Sequence, residues 1–232
     1  MADIVVFGAS GGIGQHLVRT LSADHTMLGT YHTADSDSLV EGAAYHPLDV
    51  TDPAAVNGFV ARVQDQLQRP VLVYATGVSP NAFAHKIADA DWQRALSINL
   101  SGAMHVTRAM LSTMRAANWG RIVYLSSVLA RRGTPGTLAY SVTKAALGAM
   151  ARVVSVENAT RGITANALAL GYYDVGIIKA VPEKILQKHV LPQIPQGRLG
   201  DPQNITEAVQ FVIRSDYLSG ATLDINGGML GA

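Results

Sequence analysis

A glycine-rich turn close to the start of the chain joins an apolar run to a segment with helical periodicity. Residues 4–7 read Ile-Val-Val-Phe, a short and fully apolar run that is typical of a buried parallel strand. Residues 8–14 read Gly-Ala-Ser-Gly-Gly-Ile-Gly, and residues 15–22 have the apolar spacing of a helix. In this order, the three pieces bring dinucleotide phosphates to the backbone N–H groups of a helix N-terminus. The turn therefore favours an α/β fold that binds a dinucleotide.

The three spaced glycines of the turn have different predicted functions. Gly8 permits the tight turn, Gly12 lets the backbone approach a ligand, and Gly14 lets the helix pack close to the strand. A glycine-rich loop without a ligand is the alternative interpretation. The position of the turn, directly after the first strand, favours the dinucleotide.

The end of the second predicted strand, residues 27–31, bears on which dinucleotide binds. Folds that bind NAD usually place a carboxylate there, where it holds the hydroxyl groups of the adenosine ribose. Here Tyr31 is followed by His32 and Thr33, and the first carboxylate is Asp35. A 2′-phosphate would not be repelled, and His32 and Thr33 could donate hydrogen bonds to it, so we expect NADP. The alternative is that His32 is an exposed loop residue.

Predicted strands and helices alternate along the whole chain, with no repeat and no linker between them. The chain has 232 residues, of which 48% are hydrophobic and 15% are charged, and this suits one compact domain. We therefore predict a single α/β domain over residues 1–232, a Rossmann fold with a doubly wound, seven-stranded parallel sheet. The third strand is expected to end at residues 48–50. The four later strands are expected to span residues 71–75, 122–125, 164–169 and 222–226.

Charge and composition exclude several classes of function. The net charge of +1, from 18 basic and 17 acidic residues, gives no electrostatic reason to expect a nucleic acid or a membrane surface as partner. The chain has no cysteine, and its seven histidines are scattered without a second ligand at metal-binding spacing, so no metal is expected. No apolar run approaches bilayer length, and no basic segment precedes the first strand, so cytoplasm is the expected location.

One pair of polar residues lies in a small-residue segment, 138–158, that is predicted to be a single long helix. Tyr140 and Lys144 are four residues apart, so they share a face of that helix. A phenol titrates near ~10, and a neighbouring cation lowers its pKa, which would make Tyr140 a usable acid or base near neutral pH. A chance occurrence of this short pattern is the alternative.

Three more polar residues fall where they could reach the same place. Ser126 and Ser127 follow the fifth strand, at the carboxyl edge where ligands bind in open α/β sheets. Asn99 interrupts the apolar face of a helical region that starts at Asp89. Serines that only cap a loop, and an asparagine that is only a surface or satisfied polar residue, are the alternatives. Asp49, at the end of the third predicted strand, is a candidate contact of the adenine.

Taken together, these residues resemble the short-chain dehydrogenase/reductase family over essentially the whole chain. The matches are collinear, and within the family the chain is most similar to 3-oxoacyl-[acyl-carrier-protein] reductases, through residues 120–123, 197–200 and 226–229. The positions that carry the family resemblance are the glycines of the turn, Asp49, Val50, Asn99, Ser127, Tyr140, Lys144, 161–166 and 224–228.

The resemblance implies a mechanism and a set of dinucleotide contacts. Tyr140 would donate a proton to a substrate carbonyl, Ser127 would hydrogen-bond that oxygen, and Lys144 would lower the tyrosine pKa and hold the nicotinamide ribose. Asn99 would support a water that links Lys144 to solvent. The implied cofactor contacts are Gly8, Ser10, Gly11, Gly12, Ile13, Gly14, Tyr31, His32, Thr33, Asp49, Val50, Ala75, Gly77, Tyr140, Lys144 and Gly171.

The chain also departs from the family pattern. The usual Asn-Asn-Ala-Gly after strand four reads Tyr-Ala-Thr-Gly at 74–77, and the usual Pro-Gly after strand six reads Leu-Gly at 170–171. A threonine that contacts the nicotinamide carboxamide is replaced around Asp174 and Val175. The connection over residues 33–42 is shorter than the family norm and is not expected to hold a full helix.

The segment 172–196 follows the sixth strand and is predicted to cover the pocket as a substrate lid. Its apolar residues suit an acyl chain and equally any apolar ketone. We therefore expect an NADPH-dependent reductase of 3-oxoacyl thioesters on acyl carrier protein, in fatty-acid or polyketide-like biosynthesis. The alternatives are a reductase or dehydrogenase of a free small ketone or alcohol, and a non-catalytic dinucleotide-binding protein.

Two kinds of protein partner are expected from the resemblance. An acidic carrier protein would need basic residues near the cleft, and Arg161, Arg131 and Arg132 are the candidates, with plain solvated surface as the alternative for the last two. Family members commonly form tetramers through the helix after Asn99 and the Tyr140 helix. Small residues between 145 and 151 would allow close approach of two such helices, although they could equally pack within one subunit. We expect a homotetramer, with a dimer as the alternative.

Overall fold

The computed structural model describes residues 1–33 and 39–230, and these form one seven-stranded parallel sheet with helices on both faces. The strand order is β3-β2-β1-β4-β5-β6-β7, and every neighbouring pair is parallel. The predicted doubly wound α/β sheet is therefore confirmed. The strands are β1 (Asp3–Phe7), β2 (Thr26–Tyr31), β3 (Ala44–Pro47), β4 (Pro70–Tyr74), β5 (Gly120–Ser127), β6 (Ile163–Leu170) and β7 (Thr222–Ile225).

The helices follow the strands in alternation. None of those in the described ranges is long and apolar enough to cross a bilayer. The α-helices are α1 (Gly12–Leu21), α2 (Pro53–Val63), α3 (Asp89–Ala95), α4 (Gly102–Ala117), α5 (Leu138–Asn158), α6 (Glu183–Ile185) and α7 (Gln203–Arg214). The shorter helical turns are Gln64–Gln66, Leu96–Ser101, Val128–Ala130, Ala159–Arg161, Gly176–Ala180, Leu186–Val190 and Leu191–Gln193.

Alternate side chains of the strands build a separate apolar core on each face of the sheet. Val5 and Phe7 of β1 belong to the core under α2, α4 and α5, whereas Ile4 and Val6 belong to the core under α1 and α7. Successive side chains of a strand point to opposite faces, so a strand covered on both sides must be apolar throughout. This explains why the buried strands read as continuous apolar runs.

The third strand ends earlier than the sequence predicts. It stops at Pro47, and Leu48 adds only one further backbone bond, to the carbonyl of Tyr31 (2.7 Å). Asp49 then accepts hydrogen bonds from the backbone and the hydroxyl of Thr51, at 2.8 and 2.7 Å. An aspartate that bonds the residue two positions on turns the chain out of a strand. The side chain of Asp49 therefore lies in a loop beyond the sheet edge.

A π-helical turn, Leu96–Ser101, joins α3 to α4. Wider turns of this kind often occur at functional sites, and this one carries Asn99. The hydroxyl of Tyr74, at the end of β4, donates a hydrogen bond to the carbonyl oxygen of Ile98 within the turn. Burial raises the pKa of Tyr74, which therefore stays a neutral donor. Tyr74 stands where the family pattern has asparagine, and it ties the central strand to this turn.

We expect Tyr74→Phe to lower the free energy of unfolding by about 1–3 kcal/mol, because the buried carbonyl of Ile98 would lose its hydroxyl donor. The measurement is urea unfolding, with Tyr217→Phe as the control. The side chain of Tyr217 is fully exposed, so the same chemical change there should leave stability unaltered. Equal stability of the two variants would contradict the conclusion that the hydroxyl of Tyr74 stabilises the π-helical turn.

Candidate active site

The four predicted catalytic residues converge at the carboxyl edge of the sheet. Ser127 ends β5, Tyr140 and Lys144 lie one turn apart on α5, and Asn99 lies in the π-helical turn. Parallel strands bring their carboxyl ends to one edge, so side chains from distant parts of the chain meet there.

Lys144 is 5% exposed, and its ammonium group donates a hydrogen bond to the carbonyl oxygen of Leu125 (2.7 Å). The Nζ atom lies 5.5 Å from the ring centroid of Tyr140, as the four-residue spacing predicts. Burial lowers the pKa of Lys144 to about 8, so the side chain is still mostly protonated at neutral pH. The result is a buried cation beside the phenol.

Tyr140 is partly buried at the entrance of this arrangement. Burial raises its pKa, a hydrogen bond with Ser127 lowers it, and the nearby Tyr172 raises it again. The sequence predicts a pKa lowered by Lys144, but in the structure burial is the dominant influence. Tyr140 is therefore a protonated phenol, which is the form that can donate a proton.

The two serines at the end of β5 have different surroundings. Ser127 faces Tyr140, and its Oγ accepts a hydrogen bond from the backbone N–H of Leu129 (3.2 Å). Ser126 is directed to the helix instead, where its hydroxyl donates to the carbonyl oxygen of Lys144 (2.8 Å). One serine is thus available to a ligand, and the other fixes α5 against β5.

Asn99 is completely buried, and all of its amide group is engaged. Its Oδ1 accepts from the backbone N–H of Val78 (2.8 Å), and its Nδ2 donates to the carbonyl of Val78 (2.8 Å) and to the hydroxyl of Thr143 (3.0 Å). A methyl group added at Gly77 would lie 3.4 Å from the Nζ of Lys144 and 3.5 Å from the Oδ1 of Asn99. Asn99 therefore locks the loop after β4 against α5, beside Lys144.

A cleft of about 370 Å³ opens at the carboxyl ends of β1, β2 and β4. Most of the predicted dinucleotide contacts line it, and they come from four separate parts of the chain. They are Gly8, Ser10, Gly11, Tyr31, His32, Thr33, Asp49, Val50, Ala75 and Gly77.

The other predicted contacts of the glycine turn lie beside this cleft. A methyl group on Gly14 would meet the carbonyl oxygen of Gly8 at 2.3 Å, so its absence lets the helix pack against the strand. A methyl group on Gly12 would lie 2.5 Å from the Cα of Gly176, in the segment after β6. Ile13 is partly buried and packs against the apolar core under α1.

Gly171 lies at the end of β6, away from the glycine turn. Its N–H bonds the carbonyl of Ile225 (3.1 Å), and a methyl group on it would lie 2.8 Å from the Cα of Asn226. The position therefore needs glycine for the close approach of the chain after β7. Its predicted contact with a cofactor stays a prediction.

The residues of the cleft fit a dinucleotide. Gly8 has φ +90°, and a methyl group there would lie 2.7 Å from the Oγ1 of Thr76. That hydroxyl is buried, lines the cleft and has no hydrogen-bond partner among residues 1–33 and 39–230. A bare backbone and an unpaired hydroxyl are features that a phosphate or ribose oxygen could satisfy.

The end of the cleft beside β2 and β3 holds charged and ionisable side chains. The Nε2 of His32 is 3.7 Å from the Oδ2 of Asp49, and both side chains are largely exposed. Hydrogen bonds from Thr51 lower the pKa of Asp49, so a carboxylate lies beside the proposed 2′-phosphate position. Arg94 also lines the cleft and supplies a cation.

Sequence reasoning missed a second set of residues in the cleft. Thr30 and Thr76 follow directly from the rule that ligands meet the carboxyl ends of parallel strands. Arg94 and Ile98 come from the helical side, and only their spacing from Asn99 could have indicated them. The whole set is Thr30, Leu48, Thr51, Thr76, Val78, Arg94 and Ile98.

The segment 172–196 packs against the loop that follows Ser127. Apolar residues of the two pieces share a small cluster around Val128 and Ile194. Arg132 donates to the carbonyl of Gln193 (3.2 Å), and Arg131 forms an ion pair with Asp224. Both arginines are therefore engaged within the chain, and the structure weakens their interpretation as cations for docking.

The chain is similar in sequence to several known proteins. A family model described as enoyl-(acyl carrier protein) reductase matches residues 8–230. An acetoacetyl-CoA reductase of Rhizobium meliloti (strain 1021) is 33% identical, and the alignment covers 97% of this chain and 96% of the reductase. The 3-oxoacyl-[acyl-carrier-protein] reductase FabG of Escherichia coli (strain K12) is 31% identical, with the same two coverages of 97% and 96%.

Solved structures share the fold at lower sequence identity. ElxO with NADP bound superposes with a TM-score of 0.89 at 23% identity, over 100% of both chains. A tyrosine-to-phenylalanine variant of ElxO with NADPH bound gives 0.90 at 22%, again over 100% of both chains. The model match over residues 8–230, together with relatives at 31–33% identity, means that this chain belongs to the short-chain dehydrogenase/reductase family of oxidoreductases.

Proposed function

We propose that the protein is an NADPH-dependent reductase that converts 3-oxoacyl thioesters on acyl carrier protein to 3-hydroxyacyl thioesters. One observation carries the proposal: a protonated Tyr140 faces the hydroxyl of Ser127 and lies beside the buried cation of Lys144, whose Nζ is 5.5 Å from the ring centroid of Tyr140. An acid, a hydroxyl donor and a cation in contact suit reduction of a carbonyl, where negative charge develops on oxygen.

The residues of this chain divide the reaction between them. The dinucleotide, when bound, supplies the hydride. Ser127 and Tyr140 donate hydrogen bonds to the substrate carbonyl oxygen, and Tyr140 then gives up its proton as that oxygen becomes a hydroxyl. The ammonium group of Lys144 stabilises the phenolate that Tyr140 leaves, because an opposite charge nearby favours the ionised form. Asn99 keeps the loop beside Lys144 in place.

NADP is proposed as the cofactor because His32 and Thr33, which follow β2, could donate hydrogen bonds to a 2′-phosphate. Asp49 is the carboxylate beside them, and Arg94 supplies a cation elsewhere in the same cleft. The backbone of the glycine turn would hold the phosphates, and the hydroxyl of Thr76 would contact the nicotinamide half of the dinucleotide. A solved structure of the same fold is described as having NADP bound, which supports the assignment.

Fewer basic residues are available to bind the proposed carrier protein than the sequence predicts. Arg131 and Arg132 are engaged internally. Arg161 is exposed and donates a hydrogen bond to the side chain of Asn118 (3.2 Å), but it precedes β6 and therefore lies at the amino edge of the sheet, opposite the catalytic edge of its own subunit. It could guide a carrier only to the active site of a neighbouring subunit in the proposed assembly. The relative named as a FabG reductase supports a carrier-protein substrate. A relative named as an acetoacetyl-CoA reductase makes coenzyme A thioesters the second candidate.

The direct test measures NADPH oxidation with a 3-oxoacyl thioester on acyl carrier protein, on coenzyme A, and with a free ketone. We expect the carrier-bound substrate to give the highest kcat/KM. Tyr140→Phe should lower kcat by ~10²–10⁴-fold, the usual contribution of general acid catalysis, while NADPH still binds. Tyr217→Phe is the control. Turnover of the free ketone alone would reject the thioester proposal, and an unaltered kcat in Tyr140→Phe would reject the mechanism.

Cofactor preference is tested at His32. We expect His32→Asp to raise the KM for NADPH by about tenfold, because a carboxylate beside Asp49 would repel the 2′-phosphate. The KM for NADH should change little, since NADH lacks that phosphate. His85→Asp makes the same charge change at an exposed site outside the cleft and controls for net charge. An equal loss with both dinucleotides would place His32 away from the phosphate.

The carrier is tested at Arg161. We expect Arg161→Glu to lower kcat/KM by about tenfold on the carrier-protein substrate, because an acidic partner would meet a carboxylate in place of a cation. Activity on the coenzyme A thioester should be unchanged. Arg152→Glu, an exposed arginine on α5, is the matched control. The same loss on both substrates would contradict docking at Arg161.

We also propose a homotetramer that uses the outer face of α4 and α5. Between these helices lies an apolar depression of about 570 Å³, lined by Met104, Leu111 and Val153 among others. Val153 is 56% exposed, so an apolar side chain of this depression faces solvent in the single subunit. Of the small residues that the sequence offers, Gly148 and Ala151 are buried within the subunit, whereas Ala145 and Ala149 face outwards.

We expect Val153→Lys to reduce the assembly to smaller species, because an ammonium group buried between subunits would lose its hydration. Sedimentation velocity measures the mass of the assembly. Val156→Lys, on the same helix but outside the depression, should leave the tetramer intact. Equal masses for the two variants would argue against this face.

A further inference from the structure

A second cavity lies at the opposite, amino edge of the sheet. It has a volume of about 520 Å³, and residues that precede or begin β1, β2, β4 and β5 line it. Strand β5 runs from this edge, at Gly120, to Ser127 at the catalytic edge. At ~3.3 Å per residue the two edges are roughly 23 Å apart, so a ligand here could not touch the reacting groups of the same subunit.

The floor of the cavity contains a buried guanidinium group. Arg121 is 4% exposed, and its Nε donates to the carbonyl of Ile213 (3.2 Å). Its Nη1 donates to the carbonyls of Gly120 (2.8 Å) and Gly162 (3.0 Å). In the described part of the chain, Nη2 has no hydrogen-bond acceptor, and no carboxylate forms an ion pair with this side chain. A buried cation that forms no direct ion pair is costly, and a guanidinium fork matches an oxyanion.

Two further arginines add positive charge around Arg121. The guanidinium carbons of Arg69 and Arg121 each lie 4.5 Å from the ring centroid of Trp119, so the indole holds two like charges near each other. Arg214 lines the same cavity. Burial lowers the pKa of Arg121, the charge of Asp216 opposes the decrease, and the charge of Arg69 makes a smaller contribution to it.

The pKa of His25, which also lines the cavity, responds to nearby charges. Burial lowers the pKa of His25, the charge of the N-terminal amine lowers it further, Asp24 opposes the decrease, and Arg214 and Arg69 make smaller contributions to it. Asp24 and Asp216 are both exposed, so water solvates them at the rim. The buried Arg121 and two exposed arginines, Arg69 and Arg214, therefore face two exposed carboxylates, and the only buried charged group of the five is the guanidinium of Arg121.

We propose that this cavity is a binding site for a compact multivalent oxyanion of the phosphate class. Nη2 of Arg121 would bind it at the floor, and Arg69 and Arg214 would bind it from the sides. The ring of Trp119 already carries two guanidinium contacts, so the ligand is a small polyanion and not a nucleobase stacked on the indole. Such a ligand would stabilise the fold by neutralising the arginines that repel one another.

The test is calorimetric titration of the intact protein with inorganic pyrophosphate at constant ionic strength, without and with saturating NADP⁺. We expect saturable binding that persists with NADP⁺, because the glycine turn lies at the other edge of the sheet. The double variant Arg69→Gln/Arg214→Gln should bind at least about tenfold more weakly, since each lost guanidinium removes a charge-assisted hydrogen bond. Both side chains are exposed, so the variant is expected to fold.

Arg62→Gln, an exposed arginine of α2 that does not line this cavity, is the matched control and should bind as the parent does. Equal affinity in the double variant and the control would overturn the proposal. So would the absence of binding beyond that of a monovalent salt, or its loss when NADP⁺ is added, which would assign pyrophosphate to the dinucleotide cleft. None of these readouts requires turnover, so they are independent of the proposed reductase activity.

Discussion

The hydrogen bond from the ammonium group of Lys144 to the carbonyl of Leu125 joins the catalytic helix to the centre of the sheet. A buried ammonium group is stable only with acceptors, and this one takes the backbone of β5 two residues before Ser127. The hydroxyl of Ser126 completes the join from the other side by donating to the carbonyl of Lys144. The same contacts that stabilise α5 on the sheet therefore also set the position of Tyr140 relative to Ser127.

Local patterns in the sequence were sufficient to predict the fold and to select the side chains that meet at the proposed catalytic site. The apolar runs predict the buried strands because the sheet is covered on both faces, and α5 has the predicted bounds of 138–158. The spacing of Tyr140 and Lys144 predicts their shared face, and Gly14 predicts the close packing of helix and strand. Each of these properties depends on residues a few positions apart, so periodicity and spacing reveal them.

Contacts between distant residues were not predictable in this way. The π-helical turn arises where Tyr74 bonds Ile98, 24 residues further on, and no periodicity marks it. The ion pair between Arg131 and Asp224 spans 93 residues, so the sequence could only suggest a loop of free cations. Arg94 enters the dinucleotide cleft because α3 continues into the π-helical turn that carries Asn99. The pKa of Tyr140 belongs to the same class, since burial is a property of the assembled site.

The two outermost strands of the sheet, β3 and β7, are also its shortest, and their length affects how readily two chains can pair through their sheets. β3 and β7 have four residues each, whereas β5 and β6 in the interior have eight. β3 also ends in a proline, which has no N–H to offer to a neighbouring strand. Short edges with few free backbone groups are a common protection against edge-to-edge aggregation. The apolar strands that build the core are thereby kept from pairing with other copies of the chain.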